Sequence, residues 1–249
     1  MATLGTASAL GTRATVASSP RRTPAPGEVH VFTGDLDAAP ADGSVLSDDE
    51  RERAARFRFD RDRRRFLAGR SALRSLIASY LDADPVEVAF GYGPQGKPFV
   101  SNSTLSFNVS HSGGCALYAV GSGLEIGIDV ELLDHARYDD GVAERFFSPQ
   151  EVATLHALGQ AARPYAFLGC WTRKEAFIKA RGEGLSLPLH DFDVAFAPGT
   201  RPKILRTAWS AQEPAEWTLC DISGFCPGAV AALAVRSAGA DAVLKGHIC

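Results

Sequence analysis

Three carboxylates and a group of cations stand at spacings suited to divalent-metal and phosphate chemistry. In Ile126-Gly127-Ile128-Asp129-Val130-Glu131 the apolar residues alternate with others, as in a strand that sends successive side chains to opposite faces. Ile126, Ile128 and Val130 then turn inward, and Asp129 and Glu131 share the other face. Residues two apart on a strand lie roughly 6.6 Å apart, a span that one hard cation with oxygen ligands at about 2.0–2.1 Å bridges with modest side-chain bending. The chemistry suggested is Mg²⁺ on paired carboxylates. Taken alone, the hexapeptide equally describes a solvated strand edge, the usual place for acids.

Trp171-Thr172-Arg173-Lys174-Glu175-Ala176-Phe177-Ile178-Lys179 reads as helix, with Glu175 and Lys179 as neighbours one turn apart and Trp171 and Ile178 on a face suited to burial. It offers a further carboxylate for a metal and ammonium groups for phosphate, although an ordinary surface Glu-to-Lys pair has the same spacing. Phe107-Asn108-Val109-Ser110-His111-Ser112-Gly113-Gly114 leaves a strand and enters a polar turn. There two hydroxyls, an imidazole and glycine backbone can meet an anion, or form a serine turn with His111 solvated. A Ser–His hydrolytic pair is disfavoured, because adjacent residues of one turn rarely face each other as nucleophile and base. The turn 91–98 presents Lys97 and lacks the spacing of a phosphate loop or dinucleotide fingerprint. Between Arg58 and Arg74 a run of arginines suits bidentate phosphate binding or, as charge runs usually do, a solvated helix face.

These residues need elements to hold them. Ser47-Asp48-Asp49-Glu50 and Ser148-Pro149-Gln150-Glu151 are capping boxes that open helices, the second with Pro at the first helical position. A helix from Asp60 carries Phe66, Leu67, Leu73, Leu76, Ile77 and Tyr80 on one stripe and Arg61, Arg63, Arg64, Arg65, Arg70 and Arg74 on the other face. Another runs from about 162 through Lys179 to a stop at Gly182. Strands are expected at 29–32, 86–90, 105–109, 115–120, 126–131, 192–196, 203–205, 217–221 and 230–235. Helices followed by strands thus occur twice, which predicts an α+β fold of two similar halves, 28–120 and 121–249, rather than a wound parallel sheet. Residues 1–27, rich in Ala, Thr, Ser, Gly and Pro with Arg13, Arg21 and Arg22 and no acid before Glu28, predict a disordered extension. A transit peptide shares that acid-poor composition.

The 249 residues hold 26 Lys+Arg against 29 Asp+Glu, a net charge of −3, and 45% hydrophobic residues. That balance fits an ordinary soluble globular protein and argues against a general nucleic-acid binder. Five cysteines, odd in number and without a CxxC pair, suggest neither a disulfide framework nor a zinc cluster. No apolar run approaches the ~20 residues needed to span a bilayer, and no secretory signal is expected, so a cytoplasmic protein is the simplest reading.

In this order the segments resemble the 4′-phosphopantetheinyl transferases of the larger, surfactin type. The pieces that carry the likeness are Gly96-Lys97-Pro98, Phe107 to Ser112, Gly127 to Glu131, Phe146-Phe147-Ser148-Pro149-Gln150-Glu151, and Trp171 to Lys179 followed by Gly182, Gly184 and Leu185. The resemblance implies two α+β halves related by a pseudo-twofold axis with the active site in the cleft between them, and a monomer. It implies transfer of the phosphopantetheine arm of coenzyme A to a serine of an apo acyl- or peptidyl-carrier protein, Mg²⁺-dependent, with release of adenosine 3′,5′-bisphosphate. Such work serves fatty-acid, polyketide or nonribosomal-peptide synthesis, and the Trp171 and Lys174-Glu175-Ala176 variant is similar to the subgroup that accepts several carriers. Asp129, Glu131 and Glu175 are the implied metal ligands, Glu175 also the base, and Lys179 the phosphate contact. Arg58, Arg65, Lys97, Pro98, Ser110, His111 and Lys174 join Lys179 as implied coenzyme A residues, with His111 near the 3′-phosphate. Two other readings are a coenzyme A-binding regulator without transfer activity and a Mg²⁺-dependent phosphohydrolase.

Overall fold

The computed structural model describes residues 22–133, 139–237 and 243–248. Of the expected extension, residues 1–21 lie outside the described residues. Arg22 to Gly27, in contrast to expectation, belong to the fold: the Ala25 amide donates to Glu28 Oε2 at 2.8 Å and Pro24 is buried.

Two antiparallel-based sheets stand back to back, each covered by a long helix. The first has the order β11-β1-β5-β4 (Val243–Ile248, Glu28–Asp35, Cys115–Ser122, Leu105–Ser112), and the second β6-β10-β9 (Ile126–Leu132, Ala229–Arg236, Trp217–Asp221). Alternation along the strands assigns the layers. Phe32, Ala116, Tyr118 and Val120 pack with Leu73, Leu76 and Ile77 of α2 (Asp60–Leu81). The opposite faces, Val29, Val31, Leu117 and Ala119, meet Ile126, Ile128, Val130, Ala231, Leu233 and Val235 of the second sheet. The outer face of that sheet, Val230, Ala232 and Ala234, packs with Phe177 and Ile178 of α5 (Arg163–Arg181). Both sheets are therefore covered on both faces, which is why β5 and β10 read as nearly continuous apolar runs. The expected α+β class is the one found.

Local chemistry sets the boundaries. Both capping boxes form, opening α1 (Asp48–Ala55) and α4 (Pro149–His156), and Gly182, at φ 73°, ends α5. α3 (Asp140–Phe146) and the β7–β8 pair (Phe192–Val194, Ile204–Thr207) add Ala143, Phe192, Val194 and Ile204 to the core around α5. The strand expected at 86–90 is instead a 3₁₀ turn over Pro85–Glu87, because the Asp84 carboxylate accepts the Val86 N–H at 2.9 Å. Of that span only Phe90 joins a strand, in the β2–β3 hairpin (Phe90–Tyr92, Pro98–Val100). The chain's last strand also departs from a simple division at residue 120. β11 pairs in parallel with β1 in the first sheet, where Lys245 forms an ion pair with buried Glu28. Cys115 and Cys226, for which no disulfide was expected, are bonded across 111 residues of sequence, between β5 and the loop before β10.

The arginine face of α2 is solvated only at its start, where Arg61, Arg63 and Arg64 are exposed; Arg70 and Arg74 turn into the fold. Arg74 is buried and donates to Glu50 of the first capping box at 2.5 Å, and Arg70 pairs with the same carboxylate while lying over the Phe90 ring. These two arginines fasten α1, α2 and β2 together.

One glycine controls how closely α5 lies on β6. A Cβ at Gly127 would fall inside contact distance of the Ala176 carbonyl and the Ala180 amide, both backbone atoms that no rotamer change can move. Gly127→Ala is expected to cost about 1–3 kcal/mol, the usual range for overpacking, measured as a lower urea midpoint with an unchanged slope. Wild-type stability in that variant would show that α5 does not bear on β6 this closely.

Candidate active site

From Ala166 to Ala180, α5 is buried all round except at Trp171, Glu175 and Lys179. These residues, four apart, form one stripe on the helix, and they line a cleft of about 350 Å³ with Val109, Ser110 and His111 of β4 and Asp129 and Glu131 of β6. Trp171 thus belongs with Glu175 and Lys179, not with buried Ile178 as its sequence neighbours suggested. β4 and β6 are edge strands of different sheets, so the cleft lies where the two sheets meet.

The face of β6 that carries Asp129 and Glu131 is turned toward α5 and is no solvated edge: Asp129 is 3% exposed. Its Oδ1 accepts the Lys179 ammonium at 2.6 Å and the Ser110 hydroxyl at 2.9 Å, while Lys179 also reaches Ser110 Oγ at 3.1 Å. Asp129 Oδ2 is buried with no hydrogen-bond partner. Burial raises the Asp129 carboxyl above its usual range against the opposing pull of Lys179. Glu175 is pushed up to about 7 by burial first and then by the charges of Asp129 and Glu131. Three carboxylates that repel one another over a single ammonium, one with a buried oxygen left over, form a donor set suited to a hard dication. Among the described residues no three or more His, Cys, Asp or Glu side chains already converge as a formed metal site.

His111 stands exposed at the rim of the cleft. Its imidazole is held below its ordinary pKa, first by partial enclosure and then by the charges of Lys179, Arg53 and Arg65. Arg65 is held by a two-pronged pair with Asp37, both contacts at 2.7 Å. Arg53, on α1, escaped the sequence reading because its charge run pointed to α2. Ser112, expected as one of two hydroxyls on a polar turn, instead lies in the strand: β4 runs past the expected end at Val109 to Ser112, and only Gly113 and Gly114 turn.

Four other expected site residues lie elsewhere. Arg58 is on the exposed link between α1 and α2, its guanidinium 5.4 Å from the neighbouring Phe59 ring. Lys97 donates to the Ile126 and Ala180 carbonyls at 3.0 and 2.8 Å, clasping the start of β6 to the end of α5, and burial pulls it down to about 8. Pro98 opens β3 beside it and does not line the cleft.

Lys174 is fully buried on the far side of α5, donating to the Leu189 and Phe192 carbonyls at 2.7 and 2.5 Å and pairing with Glu151 at 2.8 Å. All its donors are engaged within the protein, so it holds α4, α5 and β7 together. Lys174→Ala leaves Glu151 a buried, unpaired charge and is expected to cost about 3–5 kcal/mol, seen by thermal or urea melting. A fully stable variant with weakened coenzyme A binding would return Lys174 to the ligand set.

Residues 39–122 match the family model described as 4′-phosphopantetheinyl transferase, N-terminal, and residues 125–234 match the 4′-phosphopantetheinyl transferase superfamily. The two matches adjoin at the β5–β6 turn, so each supplies one wall of the cleft. The 4′-phosphopantetheinyl transferase HetI of Nostoc sp. is 40% identical over 196 residues, covering 75% of this chain and 82% of its own. A 4′-phosphopantetheinyl transferase of Bacillus subtilis is 34% identical over 197 residues, covering 74% and 86%. These relatives carry transferase names, which gives no support to the regulatory or hydrolytic readings. With both walls of its cleft matched and relatives aligned over most of their length, the chain belongs to the 4′-phosphopantetheinyl transferase family of enzymes.

Proposed function

We propose that this transferase moves the 4′-phosphopantetheine arm of coenzyme A to a serine of an apo acyl- or peptidyl-carrier protein, with Mg²⁺, in the cleft between β4, β6 and α5. The observation that carries the reading is the meeting of Asp129, Glu131, Glu175 and Lys179 in that cleft with Ser110 and His111 beside them. Asp129, Glu131 and Glu175 would hold Mg²⁺, a fit supported by the unpartnered Oδ2 of Asp129 and by the mutual repulsion of the acids. When bound, the ion neutralises charge on the pyrophosphate and helps hold it in line for displacement.

The chain's own residues do the rest. Lys179, anchored on Asp129 and Ser110, places an ammonium where phosphoryl charge develops. His111, whose imidazole feels the charges of Arg65 and Arg53, would meet the 3′-phosphate. The carrier serine oxygen bonds to the β-phosphorus as the bond from that phosphorus to the bridging oxygen breaks. The electron pair leaves on the 5′-phosphate of adenosine 3′,5′-bisphosphate. Glu175 takes the serine proton directly or through water. Lys97 contributes by fixing β6 against α5, and Arg58 and Lys174 are not part of the ligand set.

The enzyme works as a monomer, because one chain supplies both walls of the cleft, and in the cytoplasm. No described helix is long and apolar enough to cross a membrane. Release of adenosine 3′,5′-bisphosphate from coenzyme A, followed by chromatography with and without an apo carrier, tests the reading. Release only with the carrier supports it, and equal release without one would make the chain a hydrolase.

A further inference from the structure

β4 and β6 belong to different sheets and form no backbone ladder, yet a row of side chains joins their edges. The amides of Ile128, Val130 and Leu132 donate to Asn108 Oδ1, Ser110 Oγ and Ser112 Oγ at 2.8, 3.3 and 3.1 Å. The acceptors are two apart on β4 and the donors two apart on β6, so short polar side chains replace the missing carbonyls of a partner strand. All three are buried.

Two of the three also act in the other direction. Ser110 Oγ donates to Asp129 Oδ1 and Ser112 Oγ to Glu131 Oε2, each at 2.9 Å. A serine hydroxyl has one proton to give and lone pairs to accept with. Acceptance from the β6 backbone therefore fixes the hydroxyl, and its proton is aimed at the carboxylate beside that amide. Asn108, which faces Gly127 and Ile128 where β6 carries no acid, only joins the strands.

Resting on the metal reading above, we propose that Ser112 is a positioning residue for Glu131: it locks one carboxylate oxygen so that Glu131 and Asp129 present a fixed pair to the cation. Ser110 and Lys179 donate to the same oxygen, Asp129 Oδ1, whereas Ser112 donates to Glu131 Oε2. Outer partners of metal-binding carboxylates are typically worth 10–100-fold in metal affinity.

The test is Mn²⁺ binding, read from the electron paramagnetic resonance signal of free Mn²⁺ with coenzyme A present, for the full chain and for Ser112→Ala, Ser112→Thr and Asn108→Ala, each with a thermal melt. Ser112→Ala is expected to weaken Mn²⁺ binding about 10–100-fold and Ser112→Thr, which keeps the hydroxyl, to restore it. Asn108→Ala should lower the melting temperature while keeping Mn²⁺ affinity, because it loses the same strand-joining bond without touching an acid. Equal Mn²⁺ affinity in Ser112→Ala and the parent overturns the proposal and leaves the metal reading standing. Equal losses in Ser112→Ala and Asn108→Ala overturn it too, since they reduce Ser112 to a strand fastener. A parent chain that binds no Mn²⁺ overturns the metal reading itself.

Discussion

Asp129→Asn is expected to abolish phosphopantetheine transfer while leaving the fold as stable as the parent or more so. The substitution keeps the volume of a side chain that is 3% exposed and removes a charge that burial disfavours. Stability therefore has no reason to fall, because the buried carboxylate is compensated on only one oxygen. Activity does have a reason. The variant loses a proposed anionic ligand and the partner that holds Lys179 at 2.6 Å. The loss should exceed the ~10–100-fold typical of removing an outer partner of a metal ligand. Steady-state transfer over a Mg²⁺ series, with a melt of the same sample, measures both. Parental turnover in a well-folded variant would remove Asp129 from the metal site.

Lys179→Met is expected to lower the maximal rate by about 10²–10³, the range for losing one donor to developing oxyanion charge. Methionine preserves the length of the stem against α5 and removes the ammonium. Because Lys179 is the cation nearest Asp129 and also contacts Ser110, the variant further leaves a buried acid with less compensation. Losing that charge also changes the pull of the acids on a cation, which a Mg²⁺ series separates from the rate. What remains at saturating Mg²⁺ and coenzyme A is the transition-state part. A variant with weaker coenzyme A binding but an intact maximal rate would make Lys179 a binding residue only.

Much of this site was legible before any coordinates. The alternation through Asp129 and Glu131, and the one-turn spacing of Glu175 and Lys179, each rest on the geometry of a single element, and such periodicities are written directly in sequence. Both capping boxes were readable for the same reason. What sequence did not disclose is how elements approach one another. The closeness of α5 to β6 depends on the missing side chain of Gly127, whose role exists only when the helix lies on it. Lys174 and Lys179 are five residues apart on one helix, but one faces the Leu189 and Phe192 carbonyls and the other Asp129. Their charge is the same, and only packing tells them apart.

The misread strand at 86–90 has another cause: apolar composition outvoted the Asp84 cap, a local hydrogen bond that wins because it satisfies a backbone amide at once. β11 was invisible because its pairing with β1 joins opposite ends of the chain. Such long-range pairings leave little local signature.

Metal-dependent group transfer is tested most directly by intact-mass spectrometry of an apo acyl- or peptidyl-carrier protein incubated with this enzyme, coenzyme A and Mg²⁺, with EDTA in a parallel sample. The expected result is a mass gain equal to one phosphopantetheine arm on the carrier, lost with EDTA. A carrier of unchanged mass after coenzyme A has been consumed, or a gain that persists in EDTA, would contradict it.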